Sequence, residues 1–349
     1  MKKFVFVQFM VTGIIMALVC SPVSAFEQIP KESGFDGFVR LGGGYSWVKS
    51  NMVAGTDLGD VGQRKISSLT DSPDSKSGGV PQFDWNVKYT FASTRTQLIA
   101  GSRLEDIFRF DATTQAGVRQ EFESLGILGA SFVFTTLPTE VWKDPYVVND
   151  GRKRTDRTSA GILLAWERMF NSNFELDYTY RSIDIDDESS GDALAAAGTL
   201  TGSQQDRLKR KGDQHQVRGA YFFEIGEKHL VSPMLIFNYN DLDGGAMKNY
   251  ITDFQLTYSY FGPKFGLSLN GFIGYADYDK KNPIYGKTQD DTRFGAGALG
   301  SWKNPFGWKP FGIDKFRLYS QAGYFVSDAN IDFYETEIFM ATAGIWVGF

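Results

Sequence analysis

The chain has 349 residues, with 36 lysines and arginines against 41 aspartates and glutamates, a net charge of −5 and one cysteine. That balance excludes a basic nucleic-acid-binding chain, and one cysteine excludes a disulfide scaffold. Aromatic residues at 15% and 38 glycines are high beside a hydrophobic fraction of 42%, a mixture that suits membrane-spanning strands better than an ordinary soluble core.

The N-terminus carries Lys2 and Lys3, an apolar run from Phe4 to Val19, and small residues at Val23-Ser24-Ala25. This predicts a secretory signal over 1–25, cleaved before Phe26. The run is short for a membrane helix of about 20 apolar residues. Use of Cys20 as a lipoprotein site is disfavoured by Val19 before it. The mature chain, 26–349, is expected to be one domain, and no later apolar run approaches a membrane helix.

From there the period is two. A first strand falls near 36–48. In "PQFDWNVKYTFAS", Pro81, Phe83, Trp85, Val87, Tyr89 and Phe91 share one face, and Gln82, Asp84, Asn86, Lys88 and Thr90 the other. Strands follow near 96–106 and 126–136, where both faces are partly apolar. "NFELDYTYRS" and "KNYITDFQLTYSYF" alternate again, and the last seven residues, "AGIWVGF", place Ala343, Ile345, Val347 and Phe349 on one face. Alternation over so many residues is strand, and longer than the usual globular strand of about 5–6 residues.

The connections alternate in length. Short ones fall at 92–96, 123–126, 170–173, 226–229 and 261–264, with a longer proline-bearing one at 303–314. Mostly longer polar ones fall at 50–80, 107–113, 137–157, 186–213, 241–248, 277–291 and 328–333. The expected fold is all-β: a transmembrane antiparallel up-and-down barrel of about fourteen strands, with twelve or sixteen as alternatives. An even count places both termini on the periplasmic side. Lipid offers the backbone no hydrogen bonds, so the last strand must pair with the first.

A signal peptide, alternating strands, aromatic girdles and a terminal Phe349 with apolar residues two, four and six positions earlier resemble Gram-negative outer-membrane β-barrels. That resemblance implies outer-membrane lipid and lipopolysaccharide as surroundings, and barrel-assembly machinery that reads Phe349. Val347 stands where many such proteins have an aromatic residue. The chain is also similar to an uncharacterised outer-membrane family of marine bacteria, which brings no activity with it.

Val39, Leu41, Tyr45, Trp47, Phe294, Ala296, Ala298 and Trp302 are expected to face lipid. The other face carries Arg40, Lys88, Arg103, Arg119, Arg181, Arg218, Arg293 and Arg317, against Asp36, Asp84, Glu105, Glu121, Glu167, Glu175, Asp177, Glu224 and Asp253. Charges at that density need water or partners, so the interior is a watered channel or a network of ion pairs. Carboxylates gather toward the periplasmic ends and arginines toward the outer ends. Outer loops add Arg152, Lys153, Arg154 and Arg157, and Arg207, Lys209, Arg210 and Lys211. Such a mouth would gather anions, or its cations would pair with lipopolysaccharide phosphates or with Asp184, Asp186, Asp187 and Glu188. Glycines at 42, 44, 266, 274, 295 and 297 are expected to leave room along the wall. The "DALAAAGTL" segment (192–200) and the 50–80 loop are candidates to fold inward.

Catalytic and metal signals are weak. "DLDGG" lacks the downstream glutamate of a calcium loop, and His215 beside Asp213 is explained as a loop-to-strand junction. No enzyme activity, metal or cofactor is expected. The expected function is porin-like diffusion of small hydrophilic solutes, with anions as candidates. The alternative is a closed structural or adhesive barrel acting through its outer loops.

Overall fold

A computed structural model describes residues 28–349 apart from 57, 58, 107 and 109, and without the side chains of 104–106 and 311. The expected signal and its cleavage site lie outside the described residues. Fourteen strands form the wall: β1 (Gly34–Lys49), β2 (Ser75–Phe91), β3 (Thr96–Asp106), β4 (Asp111–Phe122), β5 (Gly126–Thr135), β6 (Arg154–Glu167), β7 (Phe174–Ile185), β8 (Gly212–Tyr221), β9 (His229–Leu242), β10 (Asn249–Phe261), β11 (Phe265–Lys281), β12 (Thr288–Lys303), β13 (Lys315–Ala329) and β14 (Thr336–Gly348). Phe223–Ile225 prolongs β8, and the short strands Val53–Thr56, Gly59–Asp60 and Thr139–Trp142 belong to loops. The count is fourteen rather than twelve or sixteen, and short and long connections alternate as expected, although strand runs further than expected into 107–113, from Asp111, and into 277–291, to Lys281 and from Thr288.

Every neighbouring pair is antiparallel, and β1 closes on β14 from Phe38 opposite Gly348 to Lys49 opposite Glu337. Closure removes the free edge that lipid would not tolerate. The faces sort inversely to those of a soluble protein. Phe35, Leu41, Tyr45, Phe132, Ile273 and Phe294 are exposed outside, while Arg40, Asp84, Arg119, Glu167 and Arg181 are buried inside. Phe349 lies outward, its N–H donating to the Gly37 carbonyl at 3.1 Å. The first described residues and the C-terminus stand at the short-turn end. Rings form girdles there, with Phe265, Trp302, Phe306 and Trp308 in one chain of contacts.

The wall departs from regularity between β2 and β3. Pairing of β2 with β3 runs only from Phe91–Thr96 to Asn86–Gly101, whereas β3 and β4 stay paired up to Asp106 and Asp111. Beyond Gly101 the β3–β4 hairpin leaves β2. Trp85 N–H turns to Ser102 Oγ (3.2 Å). By alternation the Pro81 nitrogen faces the same side, where proline lacks only a donor that would have no strand partner. The short loop strands extend the sheet above the departed hairpin: Thr139–Trp142 pairs with β6, and Val53–Thr56 pairs with it in turn.

The long loops interlock into a lid. Ile66, Tyr146, Leu200, Leu208, Met247 and Phe333 come from five different loops and form one apolar cluster. Arg152 donates to the carbonyls of Asn51, Pro145 and Gln63 and stacks on Trp142 at 4.4 Å. Asp144 accepts from the N–H groups of Gly191 and Ala193, fixing the short helix α1 (Asp192–Ala196). The Ala-rich segment is thus helical but belongs to the lid, not to the lumen. Tyr146 and Tyr334 hydroxyls meet at 2.7 Å.

Glycines on the inner wall do not leave open space. A Cβ at Gly42 would fall 2.2 Å from the Tyr319 hydroxyl, and one at Gly295 would fall 2.5 Å from Phe325. The room they make is taken by neighbouring side chains. At Gly44 a Cβ would sit 1.8 Å from the Ala341 carbonyl oxygen across the closing pair, whereas Gly78 has nothing within 4 Å. Gly44→Val therefore costs at least about 3 kcal/mol through overpacking. It should prevent a compact, faster-migrating form on unheated gels, whereas Gly78→Ala should not.

The lid carries a pH dependence. Burial pushes the Tyr146 hydroxyl up to about 12 and raises that of Tyr334 as well, from an ordinary value of 10.0. An unfolded lid ionises first as pH rises, so its stabilising contribution is complete below pH 10 and declines above it. The thermal midpoint should drop between pH 9 and pH 11, by an amount worth about 2 kcal/mol. The Tyr146→Phe/Tyr334→Phe double variant should show a shallower drop.

Candidate functional site

The hairpin that leaves the wall carries its tip into the lumen. Phe108 packs on Phe272 of β11, with ring centroids 6.1 Å apart, and lies under the Arg293 guanidinium of β12 at 4.7 Å. Those strands lie across the barrel from β3 and β4. Asp111, at the hairpin's other shoulder, is buried between Arg181 of β7 (2.7 Å) and Arg157 of β6 (3.3 Å). Phe110 between them has φ of 53°, a left-handed conformation that bulky residues avoid at a cost of order 1 kcal/mol. The Phe110 carbonyl accepts from Thr139 Oγ1 at 2.9 Å. Val53, Val61 and Leu137 roof the tip in an apolar cluster that also takes in Phe325, Ile338 and Met340 of the wall.

The inward-facing charges named from the sequence mostly have partners. Arg40 Nε donates to Asp84 at 2.8 Å, and Gln82 bridges Asp84 to Tyr319, Gln321 and Thr342. Arg119 grips Glu167 through two nitrogens, one at 3.0 Å, and reaches Gln97 at 2.5 Å. Arg181 also meets Ser159 (3.0 Å) and Gln214. Arg218 pairs with Asp177 at 2.6 Å and Arg293 with Asp253 at 3.2 Å. Arg103 reaches Gln115 at 3.2 Å, Glu121 pairs with Arg95, and Arg317 lies over the Trp346 ring. Lys88 is buried. Glu175 is buried with Oε1 unbonded, and Glu224 is exposed near the short-turn end. The Glu105 side chain lies outside the described residues.

One expectation changes, and of the two readings of the loop cations the structure follows the one that pairs them with acids such as Asp184 and Glu188. Glu121, Glu167 and Asp177 do gather at the short-turn end, but each has its own arginine, so the axial separation of charge is largely cancelled. The loop cations are likewise engaged. Arg152 staples loops, Arg154 pairs with Glu140 at 2.7 Å and with Asp60, and Arg157 holds the hairpin. Arg210 meets Glu188 at 3.0 Å, Lys211 meets Asp184 at 2.7 Å, and Lys209 meets Asp206 at 2.8 Å. Lys153 and Arg207 stay exposed. The clusters build the lid more than they line a mouth.

Sequence reasoning missed Asp111 and Phe108, having taken 107–113 as an outer loop. The signal was there in "IFRFD": a connection of four residues carrying two phenylalanines on the side where loops are long and polar. Of the expected inward segments, 50–80 packs Val53 and Val61 with Phe108 and the inner wall, while 192–200 joins the lid. His215 faces outward among rings, its Nδ1 2.8 Å from the Tyr178 hydroxyl, while Asp213 accepts from Tyr180. The two do not pair. Among the described residues no group of three His, Cys, Asp or Glu is placed to hold a metal.

Removing one partner of a buried ion cluster costs about 3–5 kcal/mol, because the remaining charge is stranded. Asp111→Asn should lower stability by that order in chemical denaturation. Asp314→Asn, which removes the exposed pair with Lys309, should leave the denaturation midpoint unchanged.

Solved structures with a similar barrel include an outer-membrane channel of Pseudomonas putida F1, at 13% identity and a TM-score of 0.44, covering 95% of this chain and 100% of that one. OmpT, an outer-membrane protein of Vibrio cholerae, matches at 10% identity and a TM-score of 0.39, covering 91% and 98%. The outer-membrane channel DcaP of Acinetobacter baumannii matches at 9% identity and a TM-score of 0.37, covering 90% and 98%. The likeness is one of fold. No curated protein matches the sequence. The family described as a protein of unknown function (DUF2860) matches residues 34–346, and the chain belongs to that family.

Proposed function

We propose that this barrel is an outer-membrane channel for small solutes whose resting state is occluded, with the β3–β4 hairpin as its gate. The observation that carries the reading is the hairpin tip itself, held across the lumen by ion pairs and a ring contact. Eight strands enclose a space that wall side chains alone can fill, and sixteen to eighteen leave an aqueous channel. Fourteen lie between, so an inserted segment accounts for the filling. A segment held by side chains can withdraw, whereas wall strands cannot. Beneath the tip the wall is polar, which suits passage of hydrated solute better than a permanently dry barrel core. In this reading the short turns and both termini face the periplasm, Phe349 is read by the assembly machinery, and lipopolysaccharide surrounds the lid. Chemistry on the solute has no part in it.

The lid's interlocked loops favour a second reading, a closed barrel acting through its outer surface. Planar-bilayer recording separates the two. Wild-type protein should be mostly silent with brief openings. Asp111→Asn and Phe108→Ala should each raise the open fraction at least about tenfold, the factor that 1.4 kcal/mol supplies. If both variants fold and stay silent, the channel reading fails and the second stands.

A further inference from the structure

Between the lid and the hairpin tip lies a central cavity of about 140 Å³. Its size is close to the ~150 Å³ of an apolar cavity that takes up one benzene molecule. The walls come from both lid and barrel. One part is apolar, built by Phe108 of the tip, Val53 and Val141 of the roof, and Leu242, Ile251 and Ala276 of the wall. The remainder is polar and sharply biased. Three guanidinium groups, Arg157, Arg210 and Arg293, line the cavity against one carboxylate, Asp291. Their partners Asp111, Glu188 and Asp253 are not part of the lining. The ionisable residues of the lining are therefore mainly cationic, each arginine being backed by a carboxylate outside it.

A second feature lies beside Asp291. Gln289 is 2% exposed and lines the cavity. Its amide nitrogen donates to Asp291 at 2.8 Å, and Asp291 also accepts from Ser327. The Gln289 amide oxygen has no hydrogen-bond partner. A buried acceptor without a donor costs about 1–3 kcal/mol, which a ligand donor placed there would recover. The cavity thus combines guanidinium donors, an apolar body and an unanswered acceptor.

We infer that the cavity is a binding site for a compact organic acid: a monocarboxylate with an apolar body of about benzene size and a hydroxyl or amino donor. The carboxylate engages the arginines, the body packs against Phe108 and Ile251, and the donor meets Gln289. Charge-assisted bonds to guanidinium are roughly twice as strong as neutral ones, so the acid group dominates affinity and the donor sets selectivity. The site lies directly above the gate and in contact with it through Phe108. The inference deepens the channel reading by naming a solute class, and its test is independent of conductance. A barrel that conducts without binding, or binds without conducting, would separate the two.

Calorimetric titration of the purified full barrel in detergent tests the site with 4-hydroxybenzoate, benzoate and phenol as probes. Saturable binding should rank in that order, with 4-hydroxybenzoate at least about tenfold tighter than phenol. Gln289→Leu should bring 4-hydroxybenzoate down to the level of benzoate and leave benzoate unchanged. Ala276→Phe, which fills the cavity without touching a charge, should abolish binding of both acids in protein that keeps its β-sheet circular dichroism. The inference is overturned if wild-type protein shows no saturable binding, binds phenol as tightly as the acids, or keeps its affinity in folded Ala276→Phe. The wild-type ranking decides the matter even if neither variant folds.

Discussion

Asp111 sits buried between Arg157 and Arg181, and the arrangement of the lumen depends on that cluster. Each of the two guanidiniums belongs to a wall strand, while the carboxylate belongs to a hairpin that has left the wall. Without the pair, two buried cations would face a low-dielectric interior uncompensated, at a cost of several kcal/mol. Without the cations, the hairpin would have no reason to give up its pairing with β2. The ion cluster and the break in the sheet are two sides of one exchange of interactions.

The rest of the upper barrel follows from that exchange. A departed hairpin leaves backbone groups without partners, which lipid would not forgive. The loop strands Val53–Thr56 and Thr139–Trp142 extend the ladder from β6 above it, and Arg152 binds their loops together through three carbonyls. Pro81 lies on the side of β2 that β3 has left. Beneath the tip, pairs such as Arg40–Asp84 and Arg119–Glu167 satisfy the wall at the level of glycines whose missing side chains admit Tyr319 and Phe325. The apolar roof, the enclosed cavity and the polar wall therefore form successive levels of one filled barrel.

Much of this was legible in the sequence because the physics is local. A strand with lipid on one side and charge on the other must alternate, so the strands, their number and both faces could be read from residues such as Phe83–Asp84–Trp85 and Tyr178–Thr179–Tyr180. Turn and loop lengths followed from the same pattern. The constriction was not legible, because Phe108 and Asp111 alternate like any strand end. Only the register with β2, a long-range property, shows that they turn inward. Arg157 and Arg210 looked like surface charge because sequence places them beside other cations. Burial of Arg157 depends on Asp111, which lies far away in the chain, whereas Arg210 meets Glu188 of its own loop, one of the acids the sequence offered.

In the proposed reading, closure of the lumen rests on the hairpin tip beneath the interlocked lid. The most direct measurement is the thiol reactivity of a Phe108→Cys variant, together with a Phe108→Cys/Phe272→Cys double variant, in protein embedded in bilayers. With the tip seated across the lumen, the thiol introduced at position 108 should react with a membrane-impermeant maleimide far more slowly than one placed at the exposed lid residue Lys153, even with the ring contact removed. The double variant should be joined across the lumen by a short bifunctional thiol reagent. Rapid labelling at position 108 from the loop side, with no cross-link to position 272, would place the hairpin outside the barrel and contradict a lumen closed by its tip.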